Sequence, residues 1–201
     1  MPELNTPLAL LTLTALAAYL LGSVPFGILI SRIMGLGDLR SIGSGNIGAT
    51  NVLRTGNRLA AVATLILDAG KGTAAVLVAR ALIGADAAQL AGLAAFLGHL
   101  YPIYLRFRGG KGVATFIGTA LALAWPVGLA VCASWLVAAR LWRYSSLAGM
   151  VGAASAPIWG LILGRSEMAA LLVVLAILVI LRHRDNIARL RAGTEARIGG
   201  K

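Results

Sequence analysis

Long apolar runs alternate with short polar breaks along almost the whole chain. The first run covers residues 7–34, and a polar, glycine-rich stretch follows at 35–57. Further apolar runs cover 59–84, 87–105, 113–125, 127–141, 147–163 and 168–181, and a basic tail occupies 182–201. A helix that crosses a bilayer needs about 20 mostly apolar residues. The pattern therefore predicts about seven membrane-spanning helices. Pro126 and Gly128 punctuate the junction of the fourth and fifth, which are either two short helices or one bent helix. Small-residue stretches such as 91–95 suit close helix packing in lipid. No internal repeat stands out.

Composition agrees. The chain has 201 residues, of which 59% are hydrophobic and 12% charged, with a mean hydropathy of +0.86. Soluble domains average about 45–50% apolar and about 25% charged. Neither a soluble domain nor a disordered chain fits. The expected fold is an all-α polytopic membrane protein, with residues 1–201 forming one integral-membrane domain. No length is left for a separate soluble domain, so any chemistry falls to loops and helix ends. The segment MPELNTP carries Glu3 and no Lys or Arg. That is the wrong charge for a signal peptide, so the first apolar run is expected to be kept. Cys132 is the single cysteine, which allows no internal disulfide and no cysteine metal site.

The net charge of +11 changes the picture further. In a soluble protein it would suggest nucleic acid. Here it predicts orientation, because Lys and Arg collect in cytoplasmic loops. With the N-terminus outside, the inner segments are 32–58, 106–111, 140–143 and 182–201, and they hold 15 of the 18 Lys and Arg. Arg80 and Arg165 fall toward the outside and Lys71 within a span. The N-terminus is thus expected outside and the C-terminus in the cytoplasm. Every conspicuous polar motif then lies at the cytoplasmic face.

Three motifs carry candidate chemistry. Ser41-Ile-Gly-Ser-Gly-Asn-Ile-Gly-Ala-Thr-Asn51 places Gly43, Gly45 and Gly48 among Ser44, Asn46, Thr50 and Asn51, with Arg54 following. Glycines let backbone N–H groups converge on an anion, and a helix start nearby would add to them. Arg54 offers a planar fork suited to phosphate. No Gly-Lys-Ser/Thr follows, so this is not a Walker loop. The second motif, Arg106-Phe-Arg-Gly-Gly-Lys-Gly-Val-Ala-Thr115, surrounds Lys111 with Gly109, Gly110 and Gly112 just before a predicted helix. Arg106 and Arg108 are accounted for as charged anchors, but three glycines around one lysine point to an anion. The third, Arg182-His-Arg-Asp-Asn-Ile187, puts His183 and Asn186 on one face if the helix continues. His183 could act as base, acid or donor.

Asp68 and Lys71 lie inside the second span, where a three-residue spacing makes them natural partners. Lys71 is either half of that ion pair or a contact to bound phosphate. His99, in Gly-His-Leu-Tyr-Pro102, reads as a packed, hydrogen-bonded histidine. Two His, one Cys and no acidic cluster argue against a protein-held metal. The His-x4-Asp pair of the common glycerolipid acyltransferases is missing, since Tyr104 and Ala188 stand five after the two histidines.

In combination these motifs are specific. Gly43-Ser-Gly-Asn-Ile-Gly-Ala-Thr-Asn51, Asp68-x-x-Lys71-Gly72, Gly98-His-x-x-Pro102, Gly109-Gly-Lys-Gly-Val-Ala-Thr115 and Arg182-His-Arg-Asp-Asn-Ile187 occur in order over essentially the whole chain. Together they resemble the PlsY family, bacterial acyl-phosphate:glycerol-3-phosphate acyltransferases. Ile47 stands where the family commonly has proline, and Tyr101 where it commonly has phenylalanine. The resemblance implies transfer of a fatty acyl chain from acyl phosphate to the 1-hydroxyl of glycerol 3-phosphate, giving lysophosphatidic acid and inorganic phosphate. It implies no acyl-CoA or acyl carrier protein as direct donor, no metal and no cofactor. It also implies the bacterial inner membrane, no nucleic acid partner, and a functional link to the enzyme that makes acyl phosphate.

On that basis Ser44, Asn46, Thr50, Asn51 and the amides of Gly109, Gly110 and Gly112 would cradle acyl phosphate, and Lys111 would neutralise the leaving phosphate. Arg54, His183 and Asn186 would hold glycerol 3-phosphate, with Ser145 a further candidate. His183 either takes the hydroxyl proton or orients the hydroxyl while a phosphate takes it. Two other classes fit part of the chain. A small anion transporter would use the intramembrane charges, but its site belongs near the midplane at a repeat interface. A basic-tailed membrane anchor would leave the glycine motifs idle.

Overall fold

The computed structural model describes residues 5–199, which are helical throughout their ordered elements, with no strand among them. All seven apolar runs form helices. The first breaks into α1 (Leu8–Ser23) and α2 (Phe26–Ile33) at Val24-Pro25, where proline brings no N–H to the helical ladder. A short α3 (Ala49–Leu53) lies in the polar stretch. Then follow α4 (Arg58–Leu82), α5 (Ala85–Leu100), α6 (Val113–Leu123), α7 (Trp125–Trp142), α8 (Ser145–Ile162), α9 (Ala169–Arg182) and α10 (Arg184–Arg191).

Five stretches are long and apolar enough to cross a membrane by themselves, and α9 with α10 forms a sixth, bent by 58°. This refines the expectation of about seven full spans. Helix α6 has 11 residues, about 17 Å against a hydrocarbon core of about 30 Å. The open question at residues 124–126 has a definite answer. Ala124 is extended (φ −153°), so α6 and α7 are two helices.

Why α6 is short follows from its neighbours. Thr115 donates to the Asp68 carbonyl (2.9 Å), Thr73 to the Gly118 carbonyl (3.0 Å), and Arg80 to the Ala122 and Leu123 carbonyls (both 2.9 Å). Contacts advance together along both chains, so α6 runs parallel to α4. It begins beside Asp68, ten residues or about 15 Å beyond the start of α4. The segment between α5 and α6 therefore folds back into the bundle.

Small residues bring the helices close. Clusters of Ala18, Ala75, Ala79, Ala87, Ala91, Ala94 and Ala95 join α1, α4 and α5. A Cβ placed on Gly98 would lie 2.8 Å from the Ser23 nitrogen of α1. Larger side chains, among them Phe96, Phe116, Val127, Met168 and Leu172, fill the space between α5, α6, α7 and α9. Large apolar residues such as Leu13, Leu65, Leu136 and Ile177 stay exposed around the bundle, as a lipid-facing belt requires.

Three ionisable side chains are buried together. Lys71 Nζ lies 2.9 Å from Asp68 Oδ1, and His99 Nδ1 lies 3.6 Å from the same oxygen. Lys71 also donates to the Val24 carbonyl (2.9 Å), which the α1–α2 break leaves without a helical partner. Lys71 is thus engaged as half of an ion pair and as a cap, apart from the polar loops. Its expected role as a phosphate contact does not match this placement.

Two variants test this packing by thermal unfolding in detergent. Lys71→Met should cost about 3–5 kcal/mol by stranding the Asp68 charge, and adding Asp68→Asn should recover much of it. Gly98→Val should cost at least about 1–3 kcal/mol by forcing α1 from α5.

Candidate active site

The α2–α4 loop carries the first motif. Gly43 (φ +53°) and Gly45 (φ +66°) adopt left-handed backbone, which favours glycine. Asn51 turns inward and is 1% exposed. Its Nδ2 donates to the Leu39 carbonyl (2.9 Å), and its Oδ1 accepts from the Ser44 amide (3.1 Å) and hydroxyl (3.4 Å). Asn51 therefore braces the loop and has little left to offer a ligand, contrary to its assignment as a phosphate contact. The helix start expected near here is present at Ala49. Only the five-residue α3 follows the glycines, and α4 starts beyond it, capped by Asn57 accepting from the Ala60 amide (3.0 Å).

The other side chains of this loop stay available. Ser44, Thr50 and Arg54 are exposed, and Asn46 is half-buried beside Gly48. The Arg54 side chain lies across Gly43, where a Cβ would meet its Cδ at 2.6 Å. Gly43 thereby permits the position of the guanidinium. Thr50 Oγ1 pairs with Ser145 Oγ at the start of α8 (3.1 Å).

Glycines in the second motif serve a different purpose from the one expected. Gly109 N–H donates to the Leu100 carbonyl and Gly110 N–H to the His99 carbonyl, both at 3.1 Å. Those amides are spent on α5 and cannot cradle an anion. The carbonyls of Gly109 and Gly110 accept from Arg182 Nη2 and Nε, each at 3.1 Å. A Cβ at Gly110 would strike the His99 ring, and one at Gly112 (φ +84°) would strike Phe96. The glycines thus press the loop onto the end of α5 and set Lys111 in place.

Lys111 is half-buried and donates to Asn186 Oδ1. One of the three ammonium donors is used this way. Burial is the chief influence on its acidity. Glu195 and Asp185 oppose it while Arg189 and Arg54 assist, and the ammonium is brought down to about 8. Lys111 at neutral pH is a charged donor close to its titration point.

His183 and Asn186 do not share one straight helix, as the spacing suggested. The chain bends by 58° at His183, yet both side chains are buried. His183 Nδ1 lies 2.7 Å from the Val179 carbonyl. A carbonyl only accepts, so Nδ1 carries the hydrogen and Nε2 keeps its lone pair. Nε2 points to the Gly149 side of α8, 3.7 Å from where a Cβ would sit. Burial, with Lys111 and Arg182 adding to it, pushes His183 down to about 4, so the ring is neutral at pH 7.

One participant was hidden in the basic tail. Glu195 Oε1 accepts from Ser146 Oγ and Asn186 Nδ2, both at 2.6 Å, and Oε2 accepts from Arg189 Nε at 2.7 Å. Burial opposes its charge, but the hydrogen bonds from Ser146, Asn186 and Arg189 outweigh it and keep its pKa below the usual value. Residues beyond it cross the α7–α8 turn, where the Ile198 amide meets the Arg143 carbonyl (2.6 Å) and Arg197 meets the Tyr144 hydroxyl (3.1 Å). The available sequence signal was an acid nine residues after Asn186 in a run of arginines.

Four polar segments thus converge at one end of the bundle. Arg40 joins the first loop to the second through the Arg108 carbonyl (2.7 Å). Lys111, Asn186, Glu195 and Ser146 form one hydrogen-bonded chain across the loop, α10, the tail and α8. Two cations, several hydroxyls and a neutral imidazole with a free lone pair gather at this end of the bundle. Such a set can hold an anion and orient a hydroxyl group.

Comparisons with known proteins identify the family. The family model described as Glycerol-3-phosphate acyltransferase matches residues 12–193. A glycerol-3-phosphate acyltransferase of Cereibacter sphaeroides (strain ATCC 17025 / ATH 2.4.3) is 63% identical over all of this chain and 96% of its own length. One from Jannaschia sp. (strain CCS1) is 63% identical over 98% of each chain. A crystal structure of PlsY, an integral membrane glycerol 3-phosphate acyltransferase in its glycerol 3-phosphate form, superposes with a TM-score of 0.89. It is 40% identical, over 94% of this chain and 96% of that one. A second PlsY structure, in a lysophosphatidic acid form, gives 0.87 at 38% identity, over 94% of this chain and 95% of that one. On sequence and on fold, the chain belongs to the glycerol-3-phosphate acyltransferase family of multi-pass membrane proteins.

Proposed function

We propose that this protein transfers a fatty acyl group from acyl phosphate to the 1-hydroxyl of glycerol 3-phosphate, releasing lysophosphatidic acid and inorganic phosphate. The observation that carries the proposal is the pairing of Lys111 with the Asn186–Glu195 chain beside a neutral His183. It combines a positively charged donor with a hydroxyl acceptor, next to helices that present apolar surface for an acyl chain.

Acyl phosphate is a mixed anhydride and is already activated. No enzyme nucleophile is needed, so positioning and charge neutralisation can supply the rate. Arg54 and Asn186 hold the phosphate of glycerol 3-phosphate. Lys111, Ser44, Thr50 and Ser145 meet the acyl phosphate. The hydroxyl oxygen attacks the acyl carbon, the acyl C–O bond to phosphorus breaks, and the phosphate leaves. With a pKa of about 4, His183 is too weak a base to take the proton at neutral pH. Its Nε2 therefore orients the hydroxyl, and the departing phosphate receives the proton. The same phosphate is drawn away by Lys111.

The charge distribution supports a cytoplasmic active site in the bacterial inner membrane. The segments that carry the site are those holding 15 of the 18 Lys and Arg. Acyl phosphate hydrolyses readily, which favours close functional coupling to the enzyme that produces it. Residues 1–201 act as one unit in this scheme, without cofactor or metal.

Purified protein given palmitoyl phosphate and glycerol 3-phosphate, without CoA, should release phosphate and form lysophosphatidate. Absence of both products would sink the proposal, and uptake of glycerol 3-phosphate into sealed vesicles would favour transport instead. Arg54→Ala and Lys111→Ala should each lower kcat/KM by about 10²–10³ with an unchanged unfolding temperature. Asn51→Ala should instead lower the unfolding temperature, because it removes the brace. The pH profile tests Lys111 directly. The charged form exists below its pKa, so kcat/KM should fall as pH rises through about 8. Lys111→Arg should move that falling limb to higher pH, and an unmoved limb would clear Lys111 of the charge role.

A further inference from the structure

Only Arg80 and Arg165 fall at the outer end in the charge pattern, and the proposed reaction uses neither. They stand 85 positions apart in sequence, yet both line one cleft of about 530 Å³. Arg80 ends α4, 22 residues beyond Arg58. That places the cleft about 33 Å from the start of α4 and so at the opposite end of the bundle from Lys111.

The cleft has two kinds of wall. One is charged and is supplied by Arg80 and Arg165. Arg80 spends two of its five N–H donors on the Ala122 and Leu123 carbonyls, which fixes the group in place and leaves three. Arg165 is exposed, and its side chain makes no hydrogen bond among the described residues. Neither forms an ion pair among the described residues, although Glu167 lies two positions from Arg165. The body of the cleft is apolar and faces outward, with Leu77 47% and Trp125 68% exposed. Cations at a helix end attract phosphate, and tryptophan favours the depth of lipid headgroups. A soluble anion would use the guanidinium groups and ignore the apolar wall. A phospholipid uses both.

We infer that Arg80 and Arg165 bind the phosphate of an anionic phospholipid in the leaflet opposite the active site, with its acyl chain against Leu77 and Trp125. The ligand is a resident lipid, and the site is separate from the one that holds substrates. Arg165 is the clean test residue, because Arg80 also holds the α6–α7 junction.

Native mass spectrometry of purified protein with added phosphatidylglycerol or phosphatidylcholine reads the site. Wild type should retain phosphatidylglycerol in preference to phosphatidylcholine. Arg165→Gln should retain it about fivefold less well, Arg165→Lys should hold it nearly as wild type does, and Arg165→Gln should keep full acyltransferase turnover. Arg191→Gln, at the other end of the bundle, should lose no such retention. Equal retention by Arg165→Gln and wild type would overturn the inference. So would an equal loss in Arg191→Gln, which would assign the binding to general positive charge. Complete displacement of phosphatidylglycerol by millimolar inorganic phosphate would show a site for a soluble anion instead and would also overturn it.

Discussion

The carboxylate of Asp68 meets the ammonium of Lys71 at a depth where neither could stand alone, and three helix ends are fixed around that pair. Lys71 reaches the Val24 carbonyl, where α1 breaks. His99 brings the last turn of α5 to the Asp68 oxygen. The Asp68 carbonyl receives Thr115 from the first turn of α6. The His99 carbonyl in turn receives the Gly110 amide, which anchors the loop that carries Lys111. One buried ion pair therefore sets the depth at which α1 is interrupted, α5 ends and α6 begins. The polar loops fill the space these helix ends leave, and that recess is the candidate site.

Charge inside the recess is kept near balance. Lys111 sits between the pull of Glu195 and Asp185 and the push of Arg189 and Arg54. His183 donates a hydrogen bond from Nδ1–H to the Val179 carbonyl and stays neutral. Glu195 remains ionised because three donors converge on it. A ligand carrying negative charge meets a site whose own cations are partly spoken for, which limits how tightly that site grips any stray anion. Discrimination then depends on hydroxyl groups and shape as well as charge.

Local pattern revealed the helices, since hydrophobic runs do not depend on the rest of the fold. It also revealed Arg54, Lys111, His183 and Asn186 as polar residues out of keeping with a plain loop. What it could not reveal was the destination of each hydrogen bond. Gly109 and Gly110 read as phosphate cradles because glycine exposes amides. Their amides instead face carbonyls of α5, and only the return of the chain onto α5 decides that. Asn51 looked like its neighbour Thr50, but one points to Leu39 and the other to Ser145. Glu195 was submerged in a basic tail, and its meaning depends on Ser146, 49 positions earlier. Helix α6 had the right hydropathy for a span. Its shortness comes from the folded-back loop, which composition does not record.

Glu195 and the strap beyond it imply an order of assembly. All the helices and both glycine loops precede this residue in the chain, so a growing polypeptide can place every span in the bilayer before Glu195 is made. Asn186 then lacks the carboxylate that receives its amide, and Ser146 lacks its acceptor. Only when residues 195–198 fold back across Arg143 and Tyr144 does the chain from Lys111 to Ser146 close. A form lacking Glu195 would thus hold its helices yet leave the hydrogen-bonded chain from Lys111 to Ser146 open.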